Sequence, residues 1–255
     1  KAAEEIRNRV TNKAWSEAEL KKMFPYFCTL HSLAYKCLRL EAHEIMDELD
    51  YMELSDMTGR KFVNKMKKGN GIDISMPTAQ SQYQDTINLA YAKYPHDKDR
   101  LQKIFREVKL PDYGARSTIM QMDKDLTNFK RDRHKLEYVD YFNSFLEMKN
   151  PPPLKYLFID EAQDLSAHQW MVVDMIQEIS KPVETYVAGD DDQAIFRWAG
   201  ADIEHFIAMA KNDANTIIPL KQSYRIPISV HNLATKMAQS ISNRIDKQYD
   251  PRDDE

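Results

Sequence analysis

The sequence predicts an α/β fold, a parallel sheet carrying helices and interrupted by a long all-helical stretch. Three observations point there. From residue 154 onward, short apolar runs alternate with helical patterns in the order strand, helix, strand, helix, strand, helix. That order is expected of parallel strands joined by crossover helices. Residues 41–150 carry several helical patterns and no strong strand run. Charged residues are 30% of the 255 and glycine occupies only 6 positions, a balance that favours helix over an all-β design.

Lys1 to Leu20 is polar, with Ala2, Ala3, Ile6 and Val10 on one helical face and Lys1, Arg7, Arg9 and Lys13 as a basic side. The chain opens directly in this pattern and not on a methionine, so it reads as a fragment. Phe24 to Thr29 is a short aromatic strand candidate. His31 to Leu40 then reads as a helix, with Leu33, Tyr35, Cys37 and Leu38 apolar. Between them, Thr29, His31 and Ser32 suit either a phosphate or a plain helix cap.

Residues 41–150 are broken at Lys68-Gly69-Asn70-Gly71, Met76-Pro77, Tyr94-Pro95 and Leu110-Pro111. They read as an all-helical insertion within an α/β domain. Two basic clusters, Arg60 to Lys68 and Lys130 to Lys135, enclose Phe62 and Phe129. Basic residues interleaved with aromatics suit single-stranded nucleic acid. A solvated charged face is the ordinary alternative.

Pro151 to Pro153 exclude a continuing helix, so the short run Tyr156 to Ile159 reads as a buried strand. It ends in Asp160 and Glu161. Strand ends are where open parallel sheets hold ligands, and two carboxylates there suit a metal-bound phosphate and a water held for attack. A solvated acidic turn is the plain alternative. Ala167 to Ile179 reads as a helix, ended by Pro182. Thr185 to Ala188 is a second strand, closed by Gly189-Asp190-Asp191-Asp192-Gln193. Ala201 to Ala210 is helical. Thr216 to Leu220 is a third strand, followed by Ser223-Tyr224-Arg225, and Pro227 and Ile228 open a last helix.

The net charge of −4 predicts no general attraction to nucleic acid or membrane, so any DNA site is a local patch or groove. Cys28 and Cys37 are the only cysteines and lack a C-x-x-C spacing, which argues against a zinc site or a disulfide framework. No apolar run approaches a membrane span.

Three strand ends thus bring polar groups to one sheet edge. Nucleotide hydrolysis needs a carboxylate for Mg²⁺ and a group to orient or deprotonate water. An amide can sense the γ-phosphate, an arginine can stabilise its developing charge, and an aromatic can stack on a base. Asp160, Glu161, Gln193, Arg225 and Tyr224 supply these types. The phosphate cradle is the missing part: no G-x-x-x-x-G-K-[ST] occurs in these residues.

These strings resemble superfamily 1 DNA helicases of the UvrD/Rep/PcrA type. YLFIDEAQDLSAHQ resembles the family's Walker B motif, and VAGDDDQAIFRWAGAD its third motif. LKQSYRIPISVHNLA resembles the fourth, FCTLHSLAYKCLR the Thr-Phe-His-Ser segment, and KAAEEIRNRV the tail of a DNA-contacting motif. The resemblance implies that Asp160 binds Mg²⁺, Glu161 is the general base, and Gln193 couples the γ-phosphate to DNA. It implies Arg225 as arginine finger and Tyr224 as the adenine stack. Thr29, His31, Phe196 and Trp198 match DNA-contacting positions, although core packing would also explain the two aromatics. Ala199, Leu30, Ser223 and Ala194 stand where the family usually has Arg, Phe, Asn and Ser. The first two are expected to weaken DNA contacts or their coupling to ATP.

The implied architecture is a RecA-like sheet of the P-loop NTPase type, with residues 1–40 and 151–212 in the first RecA-like domain. Residues 41–150 are its helical insertion, and 213–255 start a second such domain. The implied activity is an ATP-dependent DNA helicase, translocating 3′-to-5′ on single-stranded DNA in a bacterial or phage-infected cytoplasm, with ATP and Mg²⁺ as cofactors and single-stranded and duplex DNA as partners. The fragment alone is expected to be inactive. Two rivals stay open: a non-catalytic DNA-binding remnant, and a metal-dependent nuclease using Asp160, Glu161, Asp164 and Asp190 to Asp192.

Overall fold

The prolines at 151–153 set where the sheet begins. Strand β1 (Tyr156–Ile159) starts three residues after them and pairs in parallel with β2 (Glu184–Val187), in the register Tyr156 opposite Glu184 and Ile159 opposite Val187. The computed structural model describes residues 16–63, 79–110 and 112–252. The basic motif at Lys1 to Val10 and the break at residues 68–71 lie outside them.

Among the described residues the helices are α1 (Glu17–Met23), α2 (Leu30–Leu38), α3 (Glu48–Thr58), α4 (Ala79–Lys93), α5 (Arg100–Glu107), α6 (Ala115–Arg133) and α7 (Tyr138–Met148) before the sheet. After it come α8 (Ala167–Ser180), α9 (Ile203–Ala210) and α10 (Ile228–Ala238). The helical stretch after residue 41 is therefore helical as expected. Its core joins α3 to α6 through Leu54, Ile87, Ile104, Ile119 and Met122, all almost fully buried. Phe62 and Phe129 belong to this core and are not stacking platforms for bases. Four of the described basic residues around them are paired as well. Arg60 meets Asp125 at 2.8 Å, Lys135 meets Asp50 at 2.8 Å, and Arg133 bonds Glu53. Lys130 lies between Glu137 at 3.1 Å and Asp140 at 2.8 Å.

A second core binds α2, α7 and α8 through Leu33, Phe142, Phe145 and Val172. A third seats Ile159 at the end of β1 against Trp170 of α8 and Phe206 of α9. Helix α8 begins where a capping box dictates. Ser166 Oγ accepts from the Gln169 N–H, and Gln169 Oε1 accepts from the Ser166 N–H.

The structure corrects three strand expectations. Phe24 to Thr29 is a turn: the Phe27 N–H donates to the Phe24 carbonyl at 3.2 Å, with Pro25 in the second turn position it favours. Residues 216–220 form no regular element and pair with no strand among the described residues, and only an isolated bridge, Gln222 with Asp250, follows. The sheet is thus two-stranded here, short of the full RecA-like sheet expected. Finally, β1 is buried on one face only. Side chains alternate across a strand, so Leu157 and Ile159 face the cores while Tyr156 and Phe158 are exposed. Phe158 stacks on Tyr186 of β2, ring centroids 4.8 Å apart.

Candidate active site at the strand ends

The parallel ladder continues past both strands. The Ala188 N–H donates to the Ile159 carbonyl at 2.8 Å, and the Ala162 N–H donates to the Ala188 carbonyl at 2.9 Å. This brings the turn after β1 and the turn after β2 side by side. Asp160 and Glu161 stand exposed at the first turn, and the Glu161 N–H donates to Asp160 Oδ1 at 3.1 Å.

Glu161 has φ +52°. The other non-glycine residues with positive φ among the described ones, Arg39, His134, Lys149 and Lys181, all cap helix C-termini, where that conformation is ordinary. Glu161 instead leads into the short 3₁₀ turn Ala162–Asp164. Left-handed backbone at a non-glycine residue costs on the order of 1 kcal/mol, and such residues cluster at working sites.

A residue that sequence reasoning passed over connects the two turns. Gln163 is 2% exposed, its Nε2 donates to Glu161 Oε2 at 2.8 Å, and its Oε1 accepts from the Asp190 N–H at 3.0 Å. Asp190 Oδ2 in turn accepts from Gln193 Nε2 at 2.6 Å. Glu161, Gln163, Asp190 and Gln193 therefore form one hydrogen-bonded chain across two strand ends. The signal was present, since a buried amide two residues beyond a strand-end glutamate needs partners on both its ends. Gly189 makes the close approach possible, because a Cβ there would lie 2.6 Å from Gln163 Oε1.

The acidic run is tied to cations and not left to solvent. Asp191 is 7% exposed. Arg244 binds both oxygens of Asp192, at 2.9 and 2.7 Å, and Lys247 reaches all three carboxylates. These pairs commit the carboxylates that a nuclease reading would spend on metal. Among the described residues, no group of three or more His, Cys, Asp or Glu is placed to hold a metal ion.

Trp198 and Phe196 are not core. They are 75% and 42% exposed, on and beside the turn Arg197–Ala199, with ring centroids 6.4 Å apart. Gly200, at φ +99°, closes that turn against α4, where a Cβ would meet Ala92 Cβ at 2.9 Å. Thr29 caps α2, its hydroxyl accepting from the Ser32 N–H at 3.2 Å. His31 lies against Phe142, ring centroids 4.2 Å apart, and burial pushes its pKa down to about 4. His31, Phe142, Asp164, His168, Phe196 and Ala199 line one cavity of about 190 Å³. Two buried atoms on residues lining it, Asp164 Oδ1 and His168 Nε2, have no hydrogen-bond partner.

Tyr224 is 86% exposed and Arg225 is exposed. Both follow the unpaired stretch 216–220. The guanidinium of Arg225 makes no ion pair among the described residues, and nothing joins it to Glu161 or Gln193.

The family model of the UvrD/REP helicase N-terminal domain matches residues 1–214. The chain belongs to this family. It is 26% identical over 258 residues to the ATP-dependent DNA helicase PcrA of Staphylococcus aureus and, to the same degree, to that of Staphylococcus epidermidis. Each alignment covers 96% of this chain and 33% of the relative, so the chain spans about a third of the length of these helicases. As a UvrD/REP-type chain it carries its DEAQD and GDDDQ strings on the two adjacent strand ends described above. No helix of the described residues is long and apolar enough to cross a membrane.

Proposed function

We propose that the chain is the part of an ATP-dependent DNA helicase that couples ATP hydrolysis to 3′-to-5′ movement along single-stranded DNA. One observation carries the reading: the hydrogen-bonded chain from Glu161 through Gln163 and Asp190 to Gln193. It ties the residue proposed to activate water to the residue proposed to sense the γ-phosphate. Glu161 takes the proton of the attacking water, and Gln193 offers its amide to the γ-phosphate. Asp160 fits a Mg²⁺ ligand, being an exposed hard oxygen donor that accepts a bond from the Glu161 N–H at Oδ1. Mg²⁺, when bound, neutralises charge on the β- and γ-phosphates. Arg225 serves as arginine finger and Tyr224 stacks on adenine. Their exposure on the stretch after residue 220 leaves them available to a nucleotide held between two RecA-like units, 1–40 with 151–212 and 213 onward.

DNA runs past Thr29, His31, Phe196 and Trp198. The exposed Trp198 and Phe196 offer stacking faces. His31, neutral at ordinary pH, offers a ring and a hydrogen bond, not a charge for phosphate.

The test is ATP turnover by the full-length gene product with and without single-stranded DNA. Glu161→Gln is expected to lower kcat by about 10²–10⁴-fold while leaving ATP binding intact; an unchanged kcat refutes the role. Residues 1–255 by themselves, which contain no G-x-x-x-x-G-K-[ST], are expected to show no turnover. The second reading, a DNA-binding remnant without catalysis, predicts a full-length protein that binds DNA without hydrolysing ATP.

A further inference from the structure

The acidic turn after β2 is gripped by a segment more than fifty residues downstream. Lys247 Nζ lies 2.6 Å from Asp190 Oδ1, is hydrogen-bonded to Asp191, and stands 3.5 Å from Asp192 Oδ2. Arg244 clamps Asp192 through two bonds, and the Ile245 N–H donates to Asp191 Oδ2 at 2.7 Å. The side chains of Lys247 and Asp191 are 11% and 1% exposed, so the grip is largely out of water.

Asp190 is where this grip meets the site. Lys247 at 2.6 Å and, at a longer 3.2 Å, the Asp192 N–H hold Oδ1, and Oδ2 accepts from Gln193 Nε2 at 2.6 Å. Without Lys247 only that longer backbone bond would hold Oδ1, and a carboxylate so loosely held turns about its last torsion, which is broad. Held on both oxygens, it has a fixed plane. That plane decides how the exposed Gln193 amide sits. Its NH₂ faces Asp190, leaving one N–H and the carbonyl oxygen for a ligand. Burial alone would raise the Asp190 pKa, but the bonds from Lys247 and Gln193 outweigh it and hold the carboxyl below its ordinary value. Asp190 therefore stays an anion and keeps both bonds.

We infer that Lys247 is a positioning residue for ATP hydrolysis: by locking Asp190 it aims the Gln193 amide. The inference rests on the ATPase reading above. Lys247 acts through Asp190 and not on the nucleotide itself. It makes the segment after α10 a determinant of the γ-phosphate sensor's geometry, so a shift of that segment is felt at the strand ends. Arg244 and the Ile245 N–H hold the neighbouring carboxylates and keep Lys247 in place.

The experiment measures single-stranded-DNA-stimulated ATP turnover by the full-length gene product and its Lys247→Met, Gln193→Ala, doubly substituted and Lys247→Arg variants. Thermal melts first establish that each is folded. Lys247→Met is expected to lower kcat about 10- to 100-fold, the cost of a displaced catalytic group, with KM for ATP changed by less than about threefold. Lys247→Arg recovers most of the loss. In the Gln193→Ala background Lys247→Met has little further effect, since both act through one amide. If Lys247→Met does not fold, Asp190→Asn replaces it in the same cycle, with the same expectation. An active wild type in which the substitution leaves kcat unchanged, or in which its loss multiplies in full with that of Gln193→Ala, overturns the inference alone. A wild type without DNA-stimulated turnover overturns the ATPase reading and this inference with it.

Discussion

The helical stretch and the strand ends spend their polar groups in opposite ways. In the helices, Arg60, Lys130, Arg133 and Lys135 each sit on a carboxylate of the same bundle, and the aromatics beside them are buried. At the strand ends, Asp160, Glu161, Gln193 and Trp198 face solvent, Asp164 Oδ1 is buried without a partner, and Glu161 holds a left-handed backbone. The helical stretch gathers stability. The strand ends hold the proposed chemistry at some cost in stability, which is the usual distribution when a rigid frame carries a working edge.

The largest test of that contrast is in the frame. Phe145 is fully buried where α2, α7 and α8 meet. Phe145→Ala is expected to cost about 3–5 kcal/mol, through lost burial and the cavity left behind. Urea denaturation followed by circular dichroism measures it. A loss near zero would mean that the frame does not depend on this junction.

Next is a pH effect at the boundary between the two regions. His168 is 1% exposed on α8, and burial first, then the neighbouring His96, His31 and Arg100, pushes its pKa from 6.5 down to about 4. The unfolded chain therefore takes up a proton between those values that the folded chain refuses. Stability from this group is complete above pH 6.5 and is lost as pH falls toward 4, by at most about 3 kcal/mol. Unfolding midpoints at pH 7.5 and 5 should differ accordingly, and His168→Asn should flatten the slope. An unchanged slope would show that His168 titrates normally.

Much of this was legible in the sequence, wherever local chemistry decides. Pro151 to Pro153, the run Tyr156 to Ile159 and the Ser166/Gln169 capping box each determine their own neighbourhood, and β1 and α8 begin where those signals place them. The DEAQD and GDDDQ strings likewise marked the strand ends. What failed was what depends on partners. Residues 216–220 have strand composition but no neighbouring strand to pair with among the described residues. Phe62 and Phe129 looked like stacking rings among cations until the bundle closed around them. Lys247 could not be read at all, because its three carboxylates lie more than fifty residues away along the chain. Only Phe24 to Thr29 was misread against an available local signal, Pro25.

A smaller effect is expected at Gly189, where the comparison narrows to the site itself. A Cβ there meets Gln163 Oε1 at 2.6 Å and the Phe206 ring at 3.0 Å. Gly189→Ala must push the amide of Gln163 away from the Asp190 N–H or displace Phe206, at about 1–3 kcal/mol. Hydrogen exchange of the Asp190 amide separates the two. Faster exchange means that Gln163 gave way, and unchanged exchange with lowered stability means that Phe206 did.

The smallest effect is the mirror of the first. Phe158 is as large as Phe145 and lies in the one ladder of the sheet, but it is 68% exposed and its ring stacks on Tyr186. Phe158→Ala forfeits that stack and little burial, so about 1 kcal/mol or less is expected in residues 1–255. The same substitution in the full-length gene product reads what covers this sheet face there. A cost that rises toward that of Phe145→Ala places Phe158 in a core, and the contrast drawn here then belongs to these residues alone. A cost that stays small leaves β1 a one-faced strand, its inner side held by the helices and its ends given to the site.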